Sequence, residues 1–132
     1  MKMLSEVSLT QKILIIDGHP VYINKLDGFL KGLTFSNIVL AKTGQEGIFL
    51  IENEKPALVI LSGKLPDMDA LEVCKTIRRS ASPAIKIIVQ IGLFADEGTS
   101  LSFKKSGADI VIDRREKDMQ PLQEAIEYFL TN

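Results

Sequence analysis

Five short apolar runs alternate with segments whose apolar residues recur at helical spacing, which restricts the chain to an α/β domain built on a parallel sheet. The runs are Lys12-Ile13-Leu14-Ile15-Ile16, Asn37 to Lys42, Ala57-Leu58-Val59-Ile60-Leu61 ending at Ser62, Ile85 to Ile91, and Ile110-Val111-Ile112. Most are apolar at consecutive positions, so both faces of those strands are buried under helices. Between the first two runs, Tyr22, Leu26, Phe29, Leu30 and Leu33 fall on one helical face, and Pro20 suits that helix's first turn. Thr43 and Glu46 form a Thr-x-x-Glu capping box for a second helix, which must stop before Pro56. Ala70, Val73, Cys74 and Ile77 mark the buried face of a third helix running toward Pro83. Asp96 to Ser106 is expected to be short or mobile, because Gly98, Thr99, Ser100 and Ser102 are poor helix formers. Leu122, Ala125, Ile126, Phe129 and Leu130 mark the last helix.

A chain of 132 residues with 45% hydrophobic content fits one domain with a real core. Sixteen basic residues against seventeen acidic ones give a net charge of −1, so no global field draws it to nucleic acid or an anionic membrane. One cysteine excludes an internal disulfide and a multi-cysteine zinc site, and suits the reducing cytoplasm. Residues 1–11 lack a signal-peptide pattern and are expected to form a flexible N-terminal tail, leaving 12–132 as the domain. The most apolar stretch, Ile85 to Ala95, falls well short of a membrane span.

In open sheets of this kind ligands lie beyond the carboxyl ends of the strands. The tips to consider are Asp17 and Gly18, Ser62, Ile91 and Gly92, and Asp113 and Arg114. Asp17-Gly18-His19-Pro20 is not the glycine-rich turn of a dinucleotide fold, and no P-loop is present.

Three segments stand in order among these elements: Ile15-Ile16-Asp17-Gly18-His19-Pro20, Leu65-Pro66-Asp67-Met68-Asp69-Ala70-Leu71-Glu72, and Gly107-Ala108-Asp109. With them, Lys12 to Leu130 resembles the CheY-like receiver domain of response regulators in two-component signalling. The first resembles the family's acidic-pair turn, the second its loop after the phosphoacceptor, the third its turn before the last strand. The resemblance implies a flavodoxin-like (βα)5 three-layer sandwich with strand order 2-1-3-4-5.

The chemistry implied by the resemblance is not reproduced. Of the acidic pair that holds Mg²⁺ only Asp17 remains, beside Gly18. The acceptor aspartate aligns with Ser62, whose hydroxyl is un-ionised at neutral pH and cannot form an acyl phosphate. The family's switch Ser or Thr aligns with Ile91, its lysine with Arg114 and the following proline with Arg115. The expectation is a degenerate acceptor pocket of Asp17, Gly18, Ser62, Ile91 and Arg114, with no catalytic residue and with Mg²⁺ binding lost or weak. Charge agrees with this, since Mg²⁺ wants near-octahedral oxygen ligation and one carboxylate facing one guanidinium does not supply it. Two arrangements of Arg114 are open: an ion pair with Asp17, or a side chain pointing to solvent.

His19 invites a reading as a base for Ser62, but without a defined oxyanion hole the pair is weak evidence for hydrolysis. Asp69 is expected to cap the third helix, Asp67 to be solvated, Cys74 to be core, and Phe49 to be an exposed apolar side chain. The resemblance also implies an interaction face, α4-β5-α5 in the family's numbering, carrying Lys104, Lys105, Arg115, Glu124 and Tyr128. The function expected is that of a pseudo-receiver acting through a signalling protein partner or self-association on that face, with no direct nucleic acid or membrane binding. Its rivals are an orthodox phosphoaccepting regulator, a small-molecule module using the vacated pocket, and a Ser/Thr kinase target at Ser62.

Overall fold

The computed structural model describes residues 6–80, 84–92, 97–114 and 118–131. Its elements run α1 (Glu6–Thr10), β1 (Ile13–Ile16), α2 (Pro20–Gly32), β2 (Ile38–Ala41), α3 (Gly44–Glu54), β3 (Leu58–Ser62), α4 (Ala70–Ser80), β4 (Lys86–Ile91), α5 (Glu97–Lys105), β5 (Ile110–Asp113) and α6 (Gln120–Thr131). The strands form one parallel sheet in the order β2-β1-β3-β4-β5, as the resemblance implied.

Alternation along each strand divides the core in two. Ile13 and Ile15 of β1 with Leu58 and Ile60 of β3 pack on Ile23, Leu26 and Leu30 of α2 and Leu122, Ile126 and Leu130 of α6. Leu14, Ile16, Val59 and Leu61 face the other way, toward Ile51 of α3, Val73, Cys74 and Ile77 of α4 and Phe103 of α5. Each half is a layer of helices on one sheet face, which gives the three-layer sandwich. Cys74 is core, and burial pushes its thiol up to about 12.

The expected flexible tail is corrected at its C-terminal part. Glu6–Thr10 form a helix, so the described residues hold six helices where five were expected, and the face named α4-β5-α5 in the family is α5-β5-α6 here. The reason is that α1 finds partners. Leu9 packs on the α2/α6 half of the core. The Ser8 hydroxyl donates to Leu130 O at 2.8 Å, satisfying a carbonyl in the last turn of α6 that the helix itself leaves open. Leu9 O accepts from Ser36 N at 3.1 Å and Thr10 O from Asn37 Nδ2 at 3.2 Å, tying α1 to the α2–β2 loop. Glu97–Lys105 is a nine-residue helix, short as its composition predicted, while Asp96 and Pro83 lie outside the described residues.

Ser8→Ala is expected to lower stability by about 1 kcal/mol, one buried hydrogen bond, in denaturant unfolding at unchanged m-value. A loose tail would leave the midpoint where it is.

Candidate functional site

At the carboxyl end of the sheet, β1 and β3 are neighbours with Ile16 opposite Leu61, so Asp17 and Ser62 emerge side by side. Both are nearly sealed from solvent, at 2% and 4% exposure. Asp17 Oδ1 accepts from His19 N at 2.9 Å, and Asp17 Oδ2 lies 3.2 Å from Arg114 Nη1. The same nitrogen donates to Ser62 Oγ at 3.3 Å. Ser62 Oγ in turn donates to Lys64 O at 2.9 Å, closing a small turn after the strand. Arg114 leaves the end of β5 with its N–H on Ile91 O at 2.6 Å, and its guanidinium carbon stands 3.6 Å from the centre of the Tyr22 ring. Of the two arrangements open for Arg114, the structure has the ion pair.

Of the five residues expected in the acceptor pocket, Asp17, Ser62 and Arg114 converge in direct contact. Gly18 and Ile91 contribute shape. A Cβ on Gly18 would stand 2.7 Å from Pro66 Cδ and 3.0 Å from Lys42 O, so the loop after β3 occupies the space an adjacent side chain would need. Ile91 packs its methyl against Gly63, whose N–H donates to Gln90 O at 2.8 Å.

That loop is fastened by a residue expected to be merely solvated. Asp67 is exposed, yet its two carboxylate oxygens accept from Gly44 N at 2.8 Å and Gln45 N at 3.0 Å at the start of α3. Those two N–H groups hold its carboxyl below the ordinary value. Asp69 caps α4 as expected, accepting from Leu71 N at 2.9 Å. His19 is the N-cap of α2, its Nδ1 accepting from Tyr22 N at 3.1 Å, which is the structural role that competed with a catalytic one. Thr43 caps α3 through Glu46 N. Tyr22 and Gln90 were not marked by the sequence as site residues. The signal available was Gln90 itself, an amide in an otherwise apolar strand, which must find a partner when buried.

Burial raises the Asp17 carboxyl above the ordinary 3.8 of an aspartate, while the His19 N–H and the Arg114 charge pull it back down. Among the described residues no group of three or more His, Cys, Asp or Glu side chains gathers into a metal-holding set. Among the described residues the corner presents one carboxylate, Asp17, facing a guanidinium, with a proline ring where a side chain at residue 18 would project.

Lys104 and Lys105 lie on α5 and Glu124 and Tyr128 on α6, flanking β5, whereas Arg115 lies outside the described residues. Tyr128 is 62% exposed and Leu101 53%. Between the edge strand and α6 runs a groove of about 620 Å³ lined by Ile110, Ile112, Pro121, Ala125, Tyr128 and Phe129 among others. Phe49 on α3 is exposed, as its place off the buried face implied.

The family model of the response regulator receiver domain matches residues 13–127. The chain belongs to the response regulator receiver family. It is 30% identical over 104 residues to a probable transcriptional regulator, ycf27, of Guillardia theta, covering 79% of this chain and 39% of that one. It is 32% identical over 71 residues to the alkaline phosphatase synthesis transcriptional regulatory protein PhoP of Bacillus subtilis, covering 54% of this chain and 29% of that one. The receiver thus spans well under half the length of these relatives. A two-component response regulator from Clostridium difficile superposes with TM-score 0.84 at 28% identity, over 93% of this chain and 98% of the other. A CheY-like receiver domain protein from Methanospirillum hungatei does so with TM-score 0.82 at 28% identity, over 92% and 94%.

In this receiver Arg114 faces a carboxylate that is nearly sealed from water. Arg114→Met is expected to raise the Asp17 pKa further, read from its carboxyl ¹³C shift, because the cation that lowers it is gone. The sign for stability follows: a carboxyl whose folded pKa lies above its unfolded value loses stability as pH rises through the folded pKa. The variant should match the parent below the unfolded value and fall behind it at neutral pH by up to about 3 kcal/mol. An unchanged Asp17 titration would remove the ion pair from the account.

Proposed function

We propose that this receiver is a pseudo-receiver: a signalling module that works without Mg²⁺-dependent phosphotransfer and acts by contact with a protein partner. The observation that carries the reading is the Arg114 guanidinium in the acidic corner, on Asp17 at 3.2 Å and Ser62 at 3.3 Å. Receivers ordinarily hold Mg²⁺ in this site, and here, among the described residues, the corner has one carboxylate and a guanidinium against it. Ser62 stands where the acceptor would be, its hydroxyl occupied by Lys64 O and Arg114 and without a base in its contacts. On this reading Mg²⁺ binding is lost or weak, and no residue is catalytic. A small-molecule module has less support, since Arg114 and the Pro66 ring fill the vacated corner.

The partner surface we favour is α5-β5-α6, where exposed Tyr128 lines the groove beside the edge strand and Leu101 is exposed on α5. Lys104 and Lys105 on one flank and Glu124 and Glu127 on the other make the face self-complementary for a two-fold pair. The relatives are transcriptional regulators by name, but the receiver matches a minority of their length, and its own charge of −1 gives no reason to assign DNA contact to it.

Addition of Mg²⁺ and beryllofluoride to ¹⁵N-labelled protein is expected to leave the amides of Asp17, Ser62 and Arg114 unmoved. Ser62→Asp should respond no better, because the new carboxylate meets Arg114 before any metal. Localised, saturable shifts in the parent protein would refute the reading. For the surface, sedimentation or partner titration with Tyr128→Ala should weaken association more than Phe49→Ala. Equal effects would take the interaction off this face.

A further inference from the structure

The spacing of α2 assigns Tyr22 to an apolar face, yet its ring lies against the Arg114 guanidinium, with the carbon 3.6 Å from the ring centre. Its hydroxyl accepts from Gln90 Nε2 at 3.1 Å. Gln90, at 4% exposure near the end of β4, is a buried amide whose Nε2 donates to the Tyr22 hydroxyl. Burial pushes the Tyr22 phenol up, so the ring is neutral and its face electron-rich at physiological pH. An arginine at a strand tip ordinarily extends into water and keeps its rotamer freedom. Here its two contacts through Nη1, at 3.2 and 3.3 Å, sit at the long end of hydrogen bonding, so they alone hold the side chain loosely. The flat surface that fixes it is the Tyr22 ring.

We infer that Tyr22, anchored by Gln90, is a positioning residue that keeps Arg114 in the acidic corner as the resident cation, in place of a divalent ion. This deepens the phosphorylation-independent reading and rests on it for its consequence, though not for its geometry. A planar cation stacked on an aromatic face is stabilised where a point charge would be less so, which also accounts for arginine rather than lysine suiting this corner. The link runs through four elements: β4 supplies Gln90, α2 supplies Tyr22, the end of β5 supplies Arg114 and the end of β1 supplies Asp17. Metal and guanidinium then compete for one carboxylate, and the stack biases the competition toward the guanidinium.

The test is an NMR comparison of the parent protein, Tyr22→Phe and Tyr22→Leu, each checked for folded amide dispersion, first without metal and then in a Mg²⁺ titration. The Arg114 Nε–H proton is expected to be shifted upfield by the ring current in the parent and in Tyr22→Phe, and to move downfield in Tyr22→Leu. Only the Gln90 side-chain amide should move in Tyr22→Phe. Mg²⁺ should then shift the Asp17 and Gly18 amides at lower concentration in Tyr22→Leu than in the parent. An Arg114 proton that is unshifted in the parent, or that ignores Tyr22→Leu, overturns the positioning role. So does an equal Mg²⁺ response of parent and Tyr22→Leu with the stack lost. If the parent binds Mg²⁺ tightly while its Arg114 proton stays upfield, the stack stands and the phosphorylation-independent reading falls.

Discussion

Burial of β1 and β3 at every position is the constraint from which the rest follows. A strand enclosed on both faces has no place for a polar side chain along its length, so its chemistry is displaced to its carboxyl tip. There Asp17 and Ser62 emerge side by side and nearly dry. A carboxylate in that position must be matched by donors or give up its charge. The His19 N–H supplies one match from the same turn, and Arg114 supplies the other from the far edge of the sheet. The local demand of one buried aspartate is thus met by a long side chain that starts three strands away and lies against the Tyr22 ring.

Charge balance explains why a guanidinium and a metal are alternatives at this tip. With one carboxylate, Arg114 brings the corner to neutrality. A divalent ion added beside it would leave an uncompensated positive charge in a poorly solvated space. A corner with several carboxylates has the opposite problem, and a divalent ion relieves it. The number of acidic side chains at the tips therefore selects the kind of cation the site can hold, and Gly18 in place of a second acid shifts that selection.

The sheet was legible because hydrophobic periodicity is a property of neighbouring residues: Ile13 to Ile16 and Leu58 to Ser62 announce buried strands by their own composition. The caps at Thr43 and Asp69 were legible for the same reason, since each acts within three residues of its own position. The Tyr22 stack on Arg114 joins residues 92 positions apart in sequence, and the Tyr22–Gln90 bond joins residues 68 apart, so no local pattern could carry either. Asp67 is exposed as expected, but its bonds were not legible, because its partners, the N–H groups of Gly44 and Gln45, belong to another helix and add nothing to the appearance of its own loop. Glu6–Thr10 was read as tail because so short a helix has almost no periodicity and little intrinsic stability; its contacts with Leu130, Ser36 and Asn37 hold it in place.

The corner is closed from two sides by devices that are joined at Ser62. From β5 come Arg114 and its stack. From β3 comes a loop whose Asp67 is fixed to the start of α3, whose Pro66 ring rests over Gly18, and whose Met68 side chain rests against Gly44. Gly44 and Gly18 allow that approach because a Cβ at either would collide with the loop. The two devices meet at Ser62, whose hydroxyl accepts from Arg114 and donates to Lys64 O in the loop, so their effects on any incoming ion should be coupled. Withdrawing Arg114 leaves the proline over the second acidic position, and an acid placed at residue 18 must move that proline while Arg114 still holds Asp17.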